Sequence, residues 1–252
     1  MQLTIWHFLI VCPLVCLGGF VDSVAGGGGL ITLPAYMLAG IPTHNAIATN
    51  KVSSFMGTTV STVRYARSGY TPIKEAAAAV LLALPGSVLG ARLSMKMEDR
   101  IFKIFMLFAV PLIAFYVLKN KEFSQEGKPL ENRKKYLYIS GLSFVLGLYD
   151  GFYGPGAGTF MILAYTNLAH VKLTEANGIA KAANLTTNVS SMVVYLLNGL
   201  TLLPLGLAAG VFGMVGNYLG TRFFDKKGLK GVRAIMLVVL SLFFIKLITE
   251  IL

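Results

Sequence analysis

Three long apolar runs restrict this chain to a small set of folds, because each is close to the length that crosses a lipid bilayer. They occupy residues 76–91, 101–118 and 232–252, and a membrane-spanning helix takes roughly 18 or more such residues. Only 13% of the 252 residues are charged, about half the share found in a soluble domain. The sequence therefore predicts an all-α integral membrane protein.

An internal repeat divides the chain into two copies. The stretch DSVAGGGG at 22–29 matches DGFYGPGA at 150–157, and from residue 46 the copies align with an offset of 130 residues. Of the 62 positions from 46 to 107, 16 are then identical. Repeats with broken helices are typical of secondary transporters. The predicted parts are a first copy at 1–118, a basic cytoplasmic linker at 119–135 and a second copy at 136–252.

Lysine and arginine are distributed unevenly between equivalent loops of the two copies. The loop at 64–74 is basic, whereas its counterpart at 194–205 has no charged residue. Because cytoplasmic loops carry the excess of Lys and Arg, equivalent loops are predicted to face opposite sides of the membrane, as in an inverted-topology repeat. Counting outward from the linker places 64–74 and 222–233 inside, and 92–103, 194–204 and both chain termini outside.

The predicted spans lie at 44–66, 75–93 and 101–118 in the first copy and at 175–197, 204–223 and 231–250 in the second. The segments 3–40 and 137–170 must each begin and end on one side, so each is predicted to be a helical hairpin broken at its Asp–Gly stretch. This gives five helices in each copy. Close-packing faces are predicted at the repeated G-x-x-x-G motifs, 86–90 and 216–220.

Two aspartates, Asp22 and Asp150, occupy equivalent positions within apolar stretches. A carboxylate inside a membrane is costly and indicates a functional site. Aspartate is also a favoured helix N-cap. Two interpretations therefore stay open: each Asp braces a helix break, or it carries a coupling proton or contacts substrate. The adjoining glycines, among them Gly27, Gly28 and Gly156, either permit close packing or free main-chain N–H groups to bind an anion.

A polar cluster follows each predicted hairpin. The first cluster contains Lys51 and the second contains its equivalent, Lys181. Either the lysines extend to the membrane interface, or they face a water-filled path together with neighbouring polar side chains. Cations with amide and hydroxyl donors suit an oxyanion such as a sulfonate, sulfite or carboxylate. The polar residues predicted to bind substrate beside the lysines are Asn50, Ser54, Asn184 and Asn188.

The motifs DSVAGGGGLITLP and NAIATNKVSSFMGTTVSTVRYARSG, with a weaker second copy, resemble the TauE/SafE family of membrane permeases, the sulfite exporter family. The resemblance covers nearly the whole chain. It implies export or permeation of small organosulfur anions, such as sulfite or sulfoacetate, across the bacterial cytoplasmic membrane. The second copy has GIAKAAN where AIATNKV stands and has Pro155 among its glycines, an asymmetry that suits a substrate held differently by the two copies.

The sequence therefore favours a secondary transporter of a small anion that works by alternating access, with an anion channel or a small carboxylate permease as alternatives. An intramembrane aspartyl protease is disfavoured, because the residues before Asp22 are GFV and not the G-x-G of that class. No enzyme activity, metal or cofactor is predicted.

The expected location is the bacterial inner membrane, with several spans. The expected partners are the substrate and the bilayer, and monomer and homodimer stay open. Nucleic acid is excluded as a partner, because the Lys and Arg behind the net charge of +11 lie at the ends of apolar runs.

Overall fold

The computed structural model describes residues 2–98, 104, 108 and 130–227, and all regular structure in these parts is α-helical. The prediction of an all-α fold is confirmed for them. The predicted spans at 101–118 and 231–250 lie largely or wholly outside the described residues, so five helices per copy remains a prediction. The helices with described bounds are α1 Ile5–Ala25, α2 Gly29–Leu38, α3 Thr43–Arg67, α4 Ile73–Ser94, α5 Asn132–Phe152, α6 Ala157–Asn167, α7 Leu173–Leu197 and α8 Leu203–Lys227.

Within the described residues, three stretches are long and apolar enough to span a membrane: α1, α4 and residues Leu203–Phe224 of α8. The helices α3 and α7 have polar residues on their buried faces. They pack against each other, and each also packs against an apolar helix, α3 against α8 and α7 against α4. Their polar faces therefore contact protein rather than lipid, as small and polar residues in membrane helices generally do.

The G-x-x-x-G motifs lie where two helix pairs approach most closely. Gly90 of α4 is so near α5 that an added Cβ would overlap the carbonyl oxygen of Leu148, and Gly220 of α8 has the same relation to Phe20 of α1. Only a glycine fits at these positions without moving the neighbouring main chain. The two copies are thereby interlocked, because each of these interfaces joins a helix of one copy to a helix of the other.

Each of the two segments predicted to be a hairpin contains a pair of helices with a short break between them. Residues 26–28 separate α1 from α2, and residues 153–156 separate α5 from α6. α5 begins at Asn132, so the last residues of the predicted linker are already helical. The breaks lie at the Asp–Gly stretches, and they determine where the candidate site forms.

Candidate functional site

The two helix breaks meet at the interface between the copies. Gly26 ends α1 with a positive φ of 74°, a conformation that glycine adopts without strain. Its carbonyl oxygen accepts a hydrogen bond from the Thr159 N–H at 3.2 Å, just inside α6. A Cβ on Gly26 would overlap the main chain of Gly158, in the first turn of α6, and a Cβ on Gly158 would overlap the main chain of Gly26. Two irregular stretches of backbone therefore lie against protein, one of the settings in which a membrane tolerates them.

Side chains satisfy the carbonyl groups that the end of α1 leaves unpaired. Tyr65 donates to the Ser23 carbonyl at 2.6 Å, Asn177 to that of Val24 at 3.3 Å, and Thr159 to that of Ala25 at 2.7 Å. In the second copy, Tyr195 donates to the Gly151 carbonyl at 3.0 Å. Tyr65 and Tyr195 are equivalent in the repeat. Helix ends buried in a membrane require such partners, because no water is available there.

Each of the two lysines forms an ion pair with the aspartate of the other copy. Lys51 Nζ lies 2.8 Å from Asp150 Oδ1 and 2.7 Å from the Asp150 carbonyl oxygen. Lys181 Nζ lies 2.7 Å from Asp22 Oδ2 and also bonds the Asp22 carbonyl oxygen. Both ammonium groups thus lie at helix C-termini, where the helix dipole favours a positive charge.

This geometry changes the role expected of the lysines. Lys51 and Lys181 are 2% and 1% exposed, so neither extends to the membrane interface. The three protons of the Lys51 ammonium are taken up by two Asp150 oxygens and by Asn188 Oδ1 at 3.3 Å. A lysine paired in this way supplies no net charge to a substrate, because an adjacent carboxylate offsets it.

The aspartates lie in the last turns of α1 and α5, and neither is a helix N-cap. The N-cap positions of α2 and α6 are Gly28 and Gly156, which make no side-chain cap. Each aspartate is instead bonded by the lysine of the other copy, at both its carboxylate and its main-chain oxygen.

The two carboxylates have different surroundings. Asp150 is held at both oxygens, since its Oδ2 accepts hydrogen bonds from Asn184 Nδ2 at 2.8 Å and from the Thr187 hydroxyl. Asp22 is held at Oδ2 alone, and its Oδ1 has no partner among the described residues. The Asp150 side chain is 3% exposed and that of Asp22 is 16% exposed.

The repeat accounts for this difference. With the offset of 130, Ser54 stands in the first copy where Asn184 stands in the second, and Gly57 stands where Thr187 stands. A serine is shorter than an asparagine, and a glycine has no hydroxyl to donate. The first copy therefore lacks the two donors that fix the second carboxylate.

A cavity of about 40 Å³ lies beside the two breaks and between the copies. It is far smaller than the roughly 300–1,000 Å³ pocket of a drug-sized ligand, so it suits an ion of a few heavy atoms. Eight of the predicted site residues line it, namely Asp22, Gly28, Asn50, Lys51, Ser54, Asp150, Asn184 and Asn188. The other three, Gly27, Lys181 and Gly156, do not line it.

The lining residues of the two copies differ in what they leave unpaired. In the second copy, the Asn184 and Asn188 side chains hydrogen-bond Asp150, Lys51 and each other. In the first, the buried Oδ1 of Asn50 has no partner among the described residues, and within them the Asn50 amide group and the Ser54 hydroxyl make no hydrogen bond either. Both residues line the cavity from one face of α3.

The Gly28 N–H, at the start of α2, is also without an acceptor in the described part of the chain. The N-terminus of a helix attracts an anion through its free N–H groups and its dipole. Among the described residues, the cavity lining thus has unused donors at Gly28, Thr32, Asn50 and Ser54, together with the unpaired acceptor oxygens of Asn50 and Asn217.

Several residues of the site had no functional role in the sequence-based predictions. Tyr65 and Tyr195 are matched in the repeat, and that match was the available signal for their shared role at the helix ends. Thr187 and Asn177 lie on the buried polar face of α7, but nothing in the sequence indicated which groups they contact. Within the described residues there is no cluster of three or more His, Cys, Asp or Glu side chains that could hold a metal ion.

Comparison with known proteins identifies the family. The sequence profile described as Sulfite exporter TauE/SafE matches residues 11–247. The chain therefore belongs to the TauE/SafE family of sulfite exporters, a family of membrane transporters. No solved structure gives a significant match.

Curated relatives extend over almost the whole chain. The probable membrane transporter protein ORF9 of Sinorhizobium is 32% identical over 245 residues, which cover 96% of this chain and 92% of the relative. The probable membrane transporter protein YfcA of Escherichia coli K12 is 32% identical over 240 residues, covering 93% and 87%. A probable membrane transporter protein of Haemophilus influenzae is 33% identical over 236 residues, covering 92% and 91%.

Proposed function

We propose that this protein is a secondary transporter of a small organosulfur oxyanion, such as sulfite, sulfoacetate or a related sulfonate, and not an enzyme. The observation that carries the proposal is the cavity at the meeting point of the two helix breaks, with the unused donors of Gly28, Asn50 and Ser54 in its lining. An oxyanion accepts hydrogen bonds at each of its oxygens and so suits a site rich in unpaired donors.

The charges around the cavity also favour an anion of low charge. Two lysines and two aspartates surround the site, and each lysine is paired with an aspartate. While both pairs are intact, the site attracts an anion through hydrogen bonds and the positive end of the α2 dipole. Small carboxylates offer the same oxygens and are the nearest competing substrates.

Contacts between the copies support an inverted-topology repeat. The equivalent helices α3 and α7 pack together, and the start of each lies beside the end of the other. Asn45 of α3 donates to the Leu200 carbonyl at 2.8 Å, just after α7. In the same way, a Cβ on Gly178 of α7 would overlap the Tyr70 carbonyl oxygen, just after α3. Equivalent helices that run antiparallel are what an inverted repeat requires.

Further contacts group the loops according to the predicted sides. Lys135 Nζ lies 2.6 Å from Glu75 Oε1, which joins two ends predicted to be cytoplasmic. His44 Nε2 lies 3.0 Å from the Ser94 carbonyl oxygen, which joins two ends predicted to be outside. The inner membrane location, the outside termini and the copies at 1–118 and 136–252 with the linker 119–135 all belong to this proposal.

Transport would proceed by alternating access, with the copies moving relative to each other around the cavity. Each ion pair links one copy to the other, so both pairs lie on the interface that such a movement changes. The Gly26–Gly158 contact closes the direct path between the breaks, which favours a carrier over a continuously open channel.

Uptake into proteoliposomes tests the proposal. Purified protein is reconstituted, and the influx of sulfite, sulfoacetate, methanesulfonate and acetate is compared with that into protein-free vesicles. We expect saturable influx of at least one sulfur oxyanion, with acetate slower. No influx of any sulfur oxyanion would contradict the proposal, and influx that rises linearly with concentration would indicate a channel.

A further inference from the structure

Three ionisable side chains line the cavity, Asp22, Lys51 and Asp150, and together with Lys181, which is paired with Asp22 behind the lining, they sum to zero charge. Lys51 and Lys181 contribute two positive charges, and Asp22 and Asp150 contribute two negative ones. A substrate anion that enters adds an uncompensated negative charge to a buried site, and burying an unpaired charge is strongly unfavourable. One bound proton removes this imbalance for a monovalent anion.

Resting on the proposed function, we propose that each anion is carried together with one proton, and that this proton binds Oδ1 of Asp22. The geometry distinguishes the two carboxylates. Both oxygens of Asp150 accept hydrogen bonds, from Lys51, Asn184 and Thr187, so a proton there would displace a donor. Oδ1 of Asp22 accepts none among the described residues, and Asp22 lines the cavity.

The site keeps its architecture when the proton arrives. A hydronium ion of the aqueous phase loses its proton and becomes water, an O–H bond forms at Asp22 Oδ1, and Lys181 stays protonated. The Lys181 ammonium retains its bond to the Asp22 carbonyl oxygen, so the break remains braced. Its positive charge is then no longer offset, and this charge balances the incoming anion. Release of the proton on the other side restores the ion pair and expels the anion.

The other charged groups around Asp22 lie on α3, α5 and α7. Lys181 of α7 contacts Asp22 directly, and Lys51 of α3 and Asp150 of α5 line the same cavity as an already neutral pair. The Tyr65 hydroxyl of α3 donates its hydrogen bond to the Ser23 carbonyl oxygen. The cavity-lining side chains of α2 and α8, and the Gly158 of α6, are not ionisable. The charge of Lys181 is thus the one directly offset by Asp22.

Proton counting on the unmodified protein tests the inference. Proteoliposomes that contain a pH-sensitive dye are given methanesulfonate, which has one charge, or sulfoacetate, which has two. We expect one proton to enter with each anion in both cases, and methanesulfonate uptake to be unaffected by a membrane potential set with potassium and valinomycin. Anion uptake without proton uptake, or uptake driven by sodium, would overturn the inference while leaving the proposed function standing.

Variants of the two aspartates test which one binds the proton. The affinity of the unmodified protein for methanesulfonate, measured by calorimetry in detergent, should fall by up to about tenfold per unit rise in pH wherever binding of the anion takes up one proton. We expect Asp22→Asn to remove this pH dependence, and Asp150→Asn to keep it even if the variant is less stable. Loss of the pH dependence in Asp150→Asn with its retention in Asp22→Asn would overturn the assignment. Absence of binding or uptake of every sulfur oxyanion by the unmodified protein would instead contradict the proposed function.

Discussion

Replacing Lys51 with methionine should destabilise the fold by more than the loss of one ordinary hydrogen bond. The ammonium of Lys51 makes three hydrogen bonds, two of them to Asp150, and the Asp150 side chain is only 3% exposed. Removing the Lys51 ammonium leaves the buried Asp150 carboxylate without its counter-ion, a change that costs about 3–5 kcal/mol. The Asn184 and Thr187 donors remain in place and keep the loss near the lower end of that range.

A double-mutant cycle isolates the ion pair from these other contacts. The variants Lys51→Met, Asp150→Asn and their combination are unfolded in detergent by a denaturant, and the free energy of unfolding is followed by circular dichroism. We expect the combination to be at least about 2 kcal/mol more stable than the sum of the single losses, because no unpaired charge is left. The matched cycle of Lys181→Met and Asp22→Asn should give a smaller coupling, since Asp22 is more exposed. Losses that add within about 0.5 kcal/mol would refute the reasoning.

Three further changes test the packing, the helix ends and the contact at the predicted cytoplasmic face. Gly90→Ala should lower the free energy of unfolding by about 1–3 kcal/mol, because the added methyl group overlaps the Leu148 carbonyl. Gly141 has open space around it, so Gly141→Ala should be neutral or slightly stabilising. Equal effects of the two substitutions would contradict the close packing described at Gly90. Tyr65→Phe and Tyr195→Phe should each cost about 1–3 kcal/mol, because a buried carbonyl loses its donor; unchanged midpoints in thermal unfolding would argue against that role. The hydrogen bond to Glu75 raises the pKa of Lys135, so this pair should stabilise the fold at neutral pH by at most about 1 kcal/mol and lose that effect as the pH rises through the raised pKa. Glu75→Gln should remove this pH dependence, which is checked by unfolding at neutral and strongly alkaline pH.

The positions of the helices could be predicted from the sequence, because the length of an apolar run and the presence of glycines at its end are features of neighbouring residues. The predicted span 44–66 corresponds to α3, Thr43–Arg67, and the predicted span 75–93 corresponds to α4, Ile73–Ser94. The hairpin breaks were equally accessible, since four consecutive glycines do not continue a helix.

The pairing of side chains across the copies could not be predicted in the same way. Lys51 and Asp150 are 99 residues apart in the chain, and no local pattern indicates that they meet. For this reason the sequence suggested lysines that face a substrate, whereas the structure pairs each of them with an aspartate. The repeat did contain the decisive asymmetry, because Ser54 and Gly57 stand opposite Asn184 and Thr187. The consequence of this asymmetry depends on the fold, in which the Asn184 and Thr187 side chains both donate to Asp150.

The central claim is that a small oxyanion binds at the unused donors of the first copy. The most direct measurement compares the affinity for the transported sulfur oxyanion in the unmodified protein, in Asn50→Ala and in Asn198→Ala, by calorimetry in detergent. Asn198 serves as the control, since it lies at the exposed end of α7 and bonds the Val194 carbonyl. The account predicts that Asn50→Ala weakens binding by about ten- to a hundredfold, the loss of one hydrogen bond to a charged group, and that Asn198→Ala has no effect. Equal affinity in all three proteins would contradict the claim.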